Sequence, residues 1–177
     1  IAASFNAPFA GVFFAHEVII GHYALTAFAP VAVAAIIGTV VSRVYFGDFP
    51  AFTISSHEIE SFFELPAFVI LGFVCALIAI VLIRSVPLTQ RLFRFLKVPI
   101  WLMPAIGGLV IGVFAIWFPE ILGVGYEATN KALNEDYELS ALLTLLIMKL
   151  IATVICLGSG FVGGVFSPSL FMGAMLG

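Results

Sequence analysis

A chargeless run, GSGFVGGVFSPSL at residues 158–170, separates two long apolar segments. Its residue types suit one chemistry above others, the presentation of backbone N–H groups to something negative. The first four N–H groups of a helix have no intrahelical partner, and the aligned peptide dipoles leave about half a positive charge there, so anions bind at such ends. Gly163 and Gly164 permit positive φ and close backbone approach. Pro168 falls in the first turn of a helix beginning near Phe166, where its missing N–H costs nothing. The backbones of Gly164, Val165 and Phe166 are therefore the candidate anion donors, and Gly160, Gly163 and Pro168 shape the turn.

The same glycines have two other readings. Gly158-x-Gly160-x-x-Gly163 spells a dinucleotide-binding string, but that motif needs a preceding strand and an acidic residue about 20 positions on. Here an apolar helix candidate precedes it and no acid follows it in the sequence. Alternatively, the glycines serve only the close packing of membrane helices.

Three further groups could do chemistry. Glu17 stands in a helix otherwise apolar from Ala7 to Ile20, apart from His16, and an ionisable group at mid-bilayer costs roughly 2.5 kcal/mol or more. Lys149 interrupts the apolar run 139–157, where snorkelling or pairing would explain it without a transport role. His16-Glu17 with His22 invites an intramembrane metalloenzyme, yet the zinc motif H-E-x-x-H needs its second histidine four positions on, and position 20 is Ile. The third histidine, His57, lies in a loop, so neither a metal site nor a cofactor is expected. A scaffold without transport activity is the remaining class.

The elements that would position these groups are all helical and membrane-grade. Hydrophobic residues are 63% of the chain and charged residues 10%, with a mean hydropathy of +1.23. Soluble domains run about 45–50% apolar and 25% charged, and do not carry several uncharged runs as long as a bilayer is thick. The net charge of −3 supplies no basic footprint for nucleic acid. Cys75 and Cys156 both sit in apolar runs, where a free cysteine behaves as a small hydrophobe. The chain opens without methionine and closes within an apolar run, and reads as part of a longer protein.

In chain order, Asn6 is a candidate N-cap with Pro8 in the first turn of a short helix ending near Val18. Residues 23–42 form an uncharged run closed by Arg43. Residues 44–64 are polar, a loop carrying Asp48, Pro50, His57, Glu58, Glu60 and Glu64. Further uncharged runs cover 65–83 and 98–119, the latter with Gly108-x-x-x-Gly112, a close-packing pattern, and Trp101 and Trp117 at its ends. Residues 120–138 are acidic, and 139–157 are apolar again. Arg84, Arg91, Arg94 and Lys97 are four of the seven basic residues, so the loop 84–97 is expected on the cytoplasmic side. Residues 44–64 and 120–138 hold nine of the ten acids and are expected outside.

These residues carry a resemblance. GVFSP at 164–168 resembles the GxFxP signature of the CLC family of chloride channels and chloride/proton antiporters, and Ser159-Gly160-x-x-Gly163-Gly164 before it fits as well. FNAPFAGVFF at 5–14, followed by Glu17, and GVGYE at 123–127 are similar to the family in the expected order, so the likeness spans nearly the whole chain. It implies an all-α polytopic membrane protein of tilted and re-entrant helices in an inverted-repeat architecture. Residues 1–44 would end the first half, and 65–177 would form most of the second. It further implies chloride as the transported ligand, a homodimer with helices at 6–18 and 25–44 at the contact, and a multi-pass location in the cell membrane. By resemblance Glu17 matches a glutamate near the cytoplasmic vestibule, and Val18 stands where many antiporters place a second glutamate. Lys149 aligns with a basic residue of the corresponding family helix. The family's gating glutamate, its G-S-G-x-P serine and its late tyrosine have no match among these residues, so gating is not legible here.

Overall fold

The structure, a computed structural model, describes residues 1–21, 25–48, 52, 62, 65–95 and 97–177. Among them every regular element is helical. They fall into two compact units, 1–53 and 54–177. His22, Pro50, Ser56, His57, Glu58, Glu60 and Glu64, on which part of the loop and metal readings rested, lie outside the described residues.

In the first unit, α1 (Ala2–Phe5) and α2 (Pro8–Phe14) pack on the long α3 (Leu25–Phe46), and α2 continues as a π-helical turn, Ala15–Ile20. Asn6 is not the N-cap of α2. It closes α1 in the left-handed region, φ 53°, and Ala7 caps α2 without a side-chain hydrogen bond. The Asn6 side chain has other work: its carbonyl oxygen accepts from Arg43 Nε at 2.7 Å and its amide donates to Asp48 Oδ1 at 2.8 Å, with Arg43 and Asp48 themselves 3.2 Å apart. Tertiary partners at the end of α3 thus outcompete the local cap. Pro8 does occupy the first helical position, where its fixed φ suits a helix start.

In the second unit, α7 (Leu139–Gly158) packs against α4 (Leu65–Phe95), α5 (Met103–Trp117) and α8 (Phe166–Leu176), while α6 (Tyr126–Leu133) packs on α8. The core gathers Leu82 of α4, Leu145, Leu146 and Val154 of α7, and Phe171, Met172 and Met175 of α8. Helices α3, α4 and α7 are long and apolar enough to cross a bilayer. Thr39 donates to Ala35 O and Thr153 to Lys149 O, so these hydroxyls are satisfied within the helix, as an apolar setting demands.

Three expectations about this unit are corrected. Residues 84–95 are not a loop but the last turns of α4, a helix of 31 residues and roughly 46 Å, longer than the hydrocarbon core. Arg84, Arg91 and Arg94 follow one another at spacings of seven and three, on one helical face, and Arg94, in the last turn, complements the dipole there. The run 98–119 forms an α-helix only over Met103–Trp117: Pro104 sits in its first turn, where the missing N–H costs nothing, and Pro119 follows its end. Close packing uses Gly107 and Gly108 rather than the Gly108–Gly112 pair: a Cβ on Gly107 would lie 2.7 Å from Ser159 Cβ and one on Gly108 3.3 Å from Phe161 Cζ, whereas Gly112 faces open space.

Candidate anion-binding site

The turn between α7 and α8 is built by helix-end chemistry. Gly160 N–H donates to Leu157 O at 3.3 Å and Phe161 N–H to Cys156 O at 3.1 Å, the crossed pair of bonds of a Schellman ending. That ending requires a left-handed residue, and Gly160 supplies it at φ 88°. Gly163 and Gly164, which are free to take positive φ, do not. A Cβ on either would meet nothing within 4 Å, so what they keep clear is an open backbone. Helix α8 begins at Phe166 with Val165 as its N-cap, and Val165 O accepts the Ser169 N–H at 3.0 Å. Pro168 is in the first turn as expected. No described backbone carbonyl accepts from the Gly164 or Val165 N–H.

What aims α8 is a polar contact that sequence reading did not find. Residues 121–125 run past α7 and α8 and offer them the carbonyls of Ile121, Gly123 and Val124. Lys149 Nζ donates to Ile121 O and to Gly123 O, both at 2.9 Å, and Ser167 Oγ donates to Val124 O at 3.1 Å. Lys149 is buried, 3% exposed, and its ammonium lies 4.8 Å from the centre of the Phe171 ring, itself fully enclosed. The lysine therefore does not snorkel. It pairs with backbone and ring instead, which accounts for a charge within a membrane-grade helix. A lone charge in an apolar run was the available signal; which carbonyls would meet it was not.

Just beyond this strap, on α6, Lys131 Nζ donates to Glu127 Oε1 at 2.8 Å. That hydrogen bond and the attendant charge attraction hold the Glu127 carboxyl below its ordinary range and the Lys131 ammonium above its own. Burial pushes the nearby Tyr137 phenol up.

The vestibule candidates belong to the other unit. Glu17 and Val18 both lie in the π-helical turn and both are exposed. His16 beside them is buried, with Nδ1 3.0 Å from Val12 O and its ring 5.5 Å from that of Phe28. Among the described residues no group of three His, Cys, Asp or Glu side chains is placed to hold a metal.

Comparison with known proteins adds a decisive observation: the family described as voltage gated chloride channel matches residues 1–177. The chain belongs to the voltage-gated chloride channel family. It is therefore a membrane protein of a polytopic, helical kind. Chloride channel protein CLC-f of Arabidopsis thaliana is 36% identical over the whole chain, which covers 24% of that protein. Chloride channel protein CLC-e of the same plant is 31% identical, with 27% covered. The voltage-gated ClC-type chloride channel ClcB of Escherichia coli is 29% identical, with 43% covered. The chain thus spans from about a quarter to under half the length of these relatives. Within this voltage-gated chloride channel family member, the glycine turn, the start of α8 and the Lys149 strap occupy one unit, while Glu17 and Val18 occupy the other.

Proposed function

We propose that the protein moves chloride across a membrane by selective permeation, with the backbone amides of Gly164, Val165 and Phe166 replacing part of the ion's hydration shell. The observation that carries this reading is the start of α8, where an uncharged glycine turn with open Gly163 and Gly164 leads into a helix N-terminus. Binding there must stay weak enough for release. The relatives named as chloride channels support the same ligand. No cofactor is required by this mechanism. The test is calorimetric titration of chloride into the full-length protein and its Gly164→Val variant. Weaker binding in the variant supports the site, and unchanged binding overturns it.

Transport is channel-like or weakly coupled to protons in this reading, because Val18 cannot carry a proton where many antiporters have a second glutamate. A chloride/proton antiporter is the second reading, favoured by the imidazole of His16 and the carboxyl group of Glu17 on adjacent positions. The protein is also proposed to be a homodimer. Exposed Val33, Ile36, Ile37, Val40 and Val44 on α3 give that helix apolar surface for a second copy or for lipid. Residues 1–44 are assigned to the end of one inverted half and 65–177 to most of the other. The basic end of α4 faces the cytoplasm of a cell membrane.

A further inference from the structure

We propose that Lys149 is a specificity-determining residue of the anion site, a fixed positive charge that raises anion occupancy at the start of α8 without touching the ion. The proposal rests on the site reading above and adds to it a full charge that a purely dipolar site would lack.

Three observations on Lys149 carry it. It is buried, and its three N–H groups face three electron-rich partners, the Ile121 and Gly123 carbonyls at 2.9 Å and the Phe171 ring at 4.8 Å. A neutral amine has only two hydrogens to donate, so this cage fits the ammonium. Among the described residues no carboxylate lies within 4 Å of it, whereas Arg43 pairs with Asp48 and Lys131 with Glu127. The carbonyls solvate the charge and do not cancel it.

Its place relative to α8 follows from the chain. Gly123 O receives Lys149 Nζ, and the next carbonyl, Val124 O, receives the hydroxyl of Ser167, second residue of α8. Consecutive residues are about 3.8 Å apart at Cα, so the ammonium stands no more than roughly 10 Å from the Ser167 hydroxyl in the first turn of α8. At that distance, with an effective dielectric near 20, a unit charge changes anion occupancy on the order of tenfold. It is close enough to favour an anion and too far to trap one. Phe171, itself a residue of α8, places its ring 4.8 Å from the ammonium and ties the charge to that helix.

Charge and mere bracing make different predictions for three substitutions in the full-length protein. Lys149→Gln keeps a donor for the carbonyls and removes the charge; Lys149→Arg keeps the charge; Gly164→Val alters the site alone. Chloride affinity by calorimetry and the anion-to-cation permeability ratio from reversal potentials are the readouts. Expected are about tenfold weaker chloride binding and a lower permeability ratio in Lys149→Gln, with Lys149→Arg within about twofold of the parent. Wild-type affinity in a folded Lys149→Gln, while Gly164→Val is weakened, overturns the role of Lys149 and leaves the site standing. Unchanged affinity in Gly164→Val overturns the site itself, and with it this role. Should Lys149→Gln not fold, Lys149→Arg decides: a folded arginine variant that has lost chloride binding overturns the charge argument, and one that retains it supports it.

Discussion

Phe171 fills the space that a side chain at Gly125 would occupy: a Cβ on Gly125 would lie 2.5 Å from Phe171 Cδ2, and Gly125 itself sits at φ 79° as the N-cap of α6. Space and backbone conformation both demand glycine there. The ring that excludes a side chain on one side accepts the Lys149 ammonium within 4.8 Å of its centre.

Gly125→Ala should therefore destabilise the protein by about 2–4 kcal/mol, combining left-handed strain with overpacking against a ring that cannot retreat. Thermal melting in detergent reads it. A change below about 0.5 kcal/mol would mean that the strap 121–125 is looser than its hydrogen bonds imply.

Gly160 and Gly164 should separate stability from permeation. Gly160→Val places a β-branched side chain at φ 88° and breaks the Schellman ending, costing about 1–3 kcal/mol. Gly164→Val puts its side chain into open space at an ordinary φ, so melting should shift little while chloride binding weakens. Equal losses of stability in the two variants would contradict the assignment.

A cysteine at Gln90, on the exposed face of α4, should be labelled by an impermeant maleimide only from the cytoplasmic side. One at Ser56, outside the described residues, should be labelled only from the other side. Modification of both from one side overturns the orientation drawn from the basic end of α4.

With an imposed chloride gradient, liposomes carrying the full-length protein should pass chloride without driving protons uphill, because Val18 is exposed beside Glu17 and has no titratable group. Uphill proton movement at a fixed chloride-to-proton ratio would place the protein with the antiporters. His16→Ala and Glu17→Gln would then show which neighbour substitutes for the missing carboxylate.

What the sequence by itself determined are the properties that run length and composition carry: helical, membrane-grade elements, the break near Leu157, and the start of α8 at Phe166. Each is local, since hydropathy over 20 residues and a glycine-rich interruption depend on no distant partner. Even so, α4 outlasts its apolar run by three turns, because arginines on one face prolong a helix as readily as they would end a span. Only the tertiary structure decided which glycine takes positive φ, which glycine lets helices touch, what holds Asn6, and where the Lys149 charge resides. Those depend on partners far along the chain: Lys149 meets carbonyls 26 and 28 positions away, and Asn6 meets Arg43 and Asp48 across 37 and 42. Every residue carries a carbonyl, so nothing in residue type distinguishes the Ile121 and Gly123 oxygens; the packing of α7 against the strap and α8 selects them.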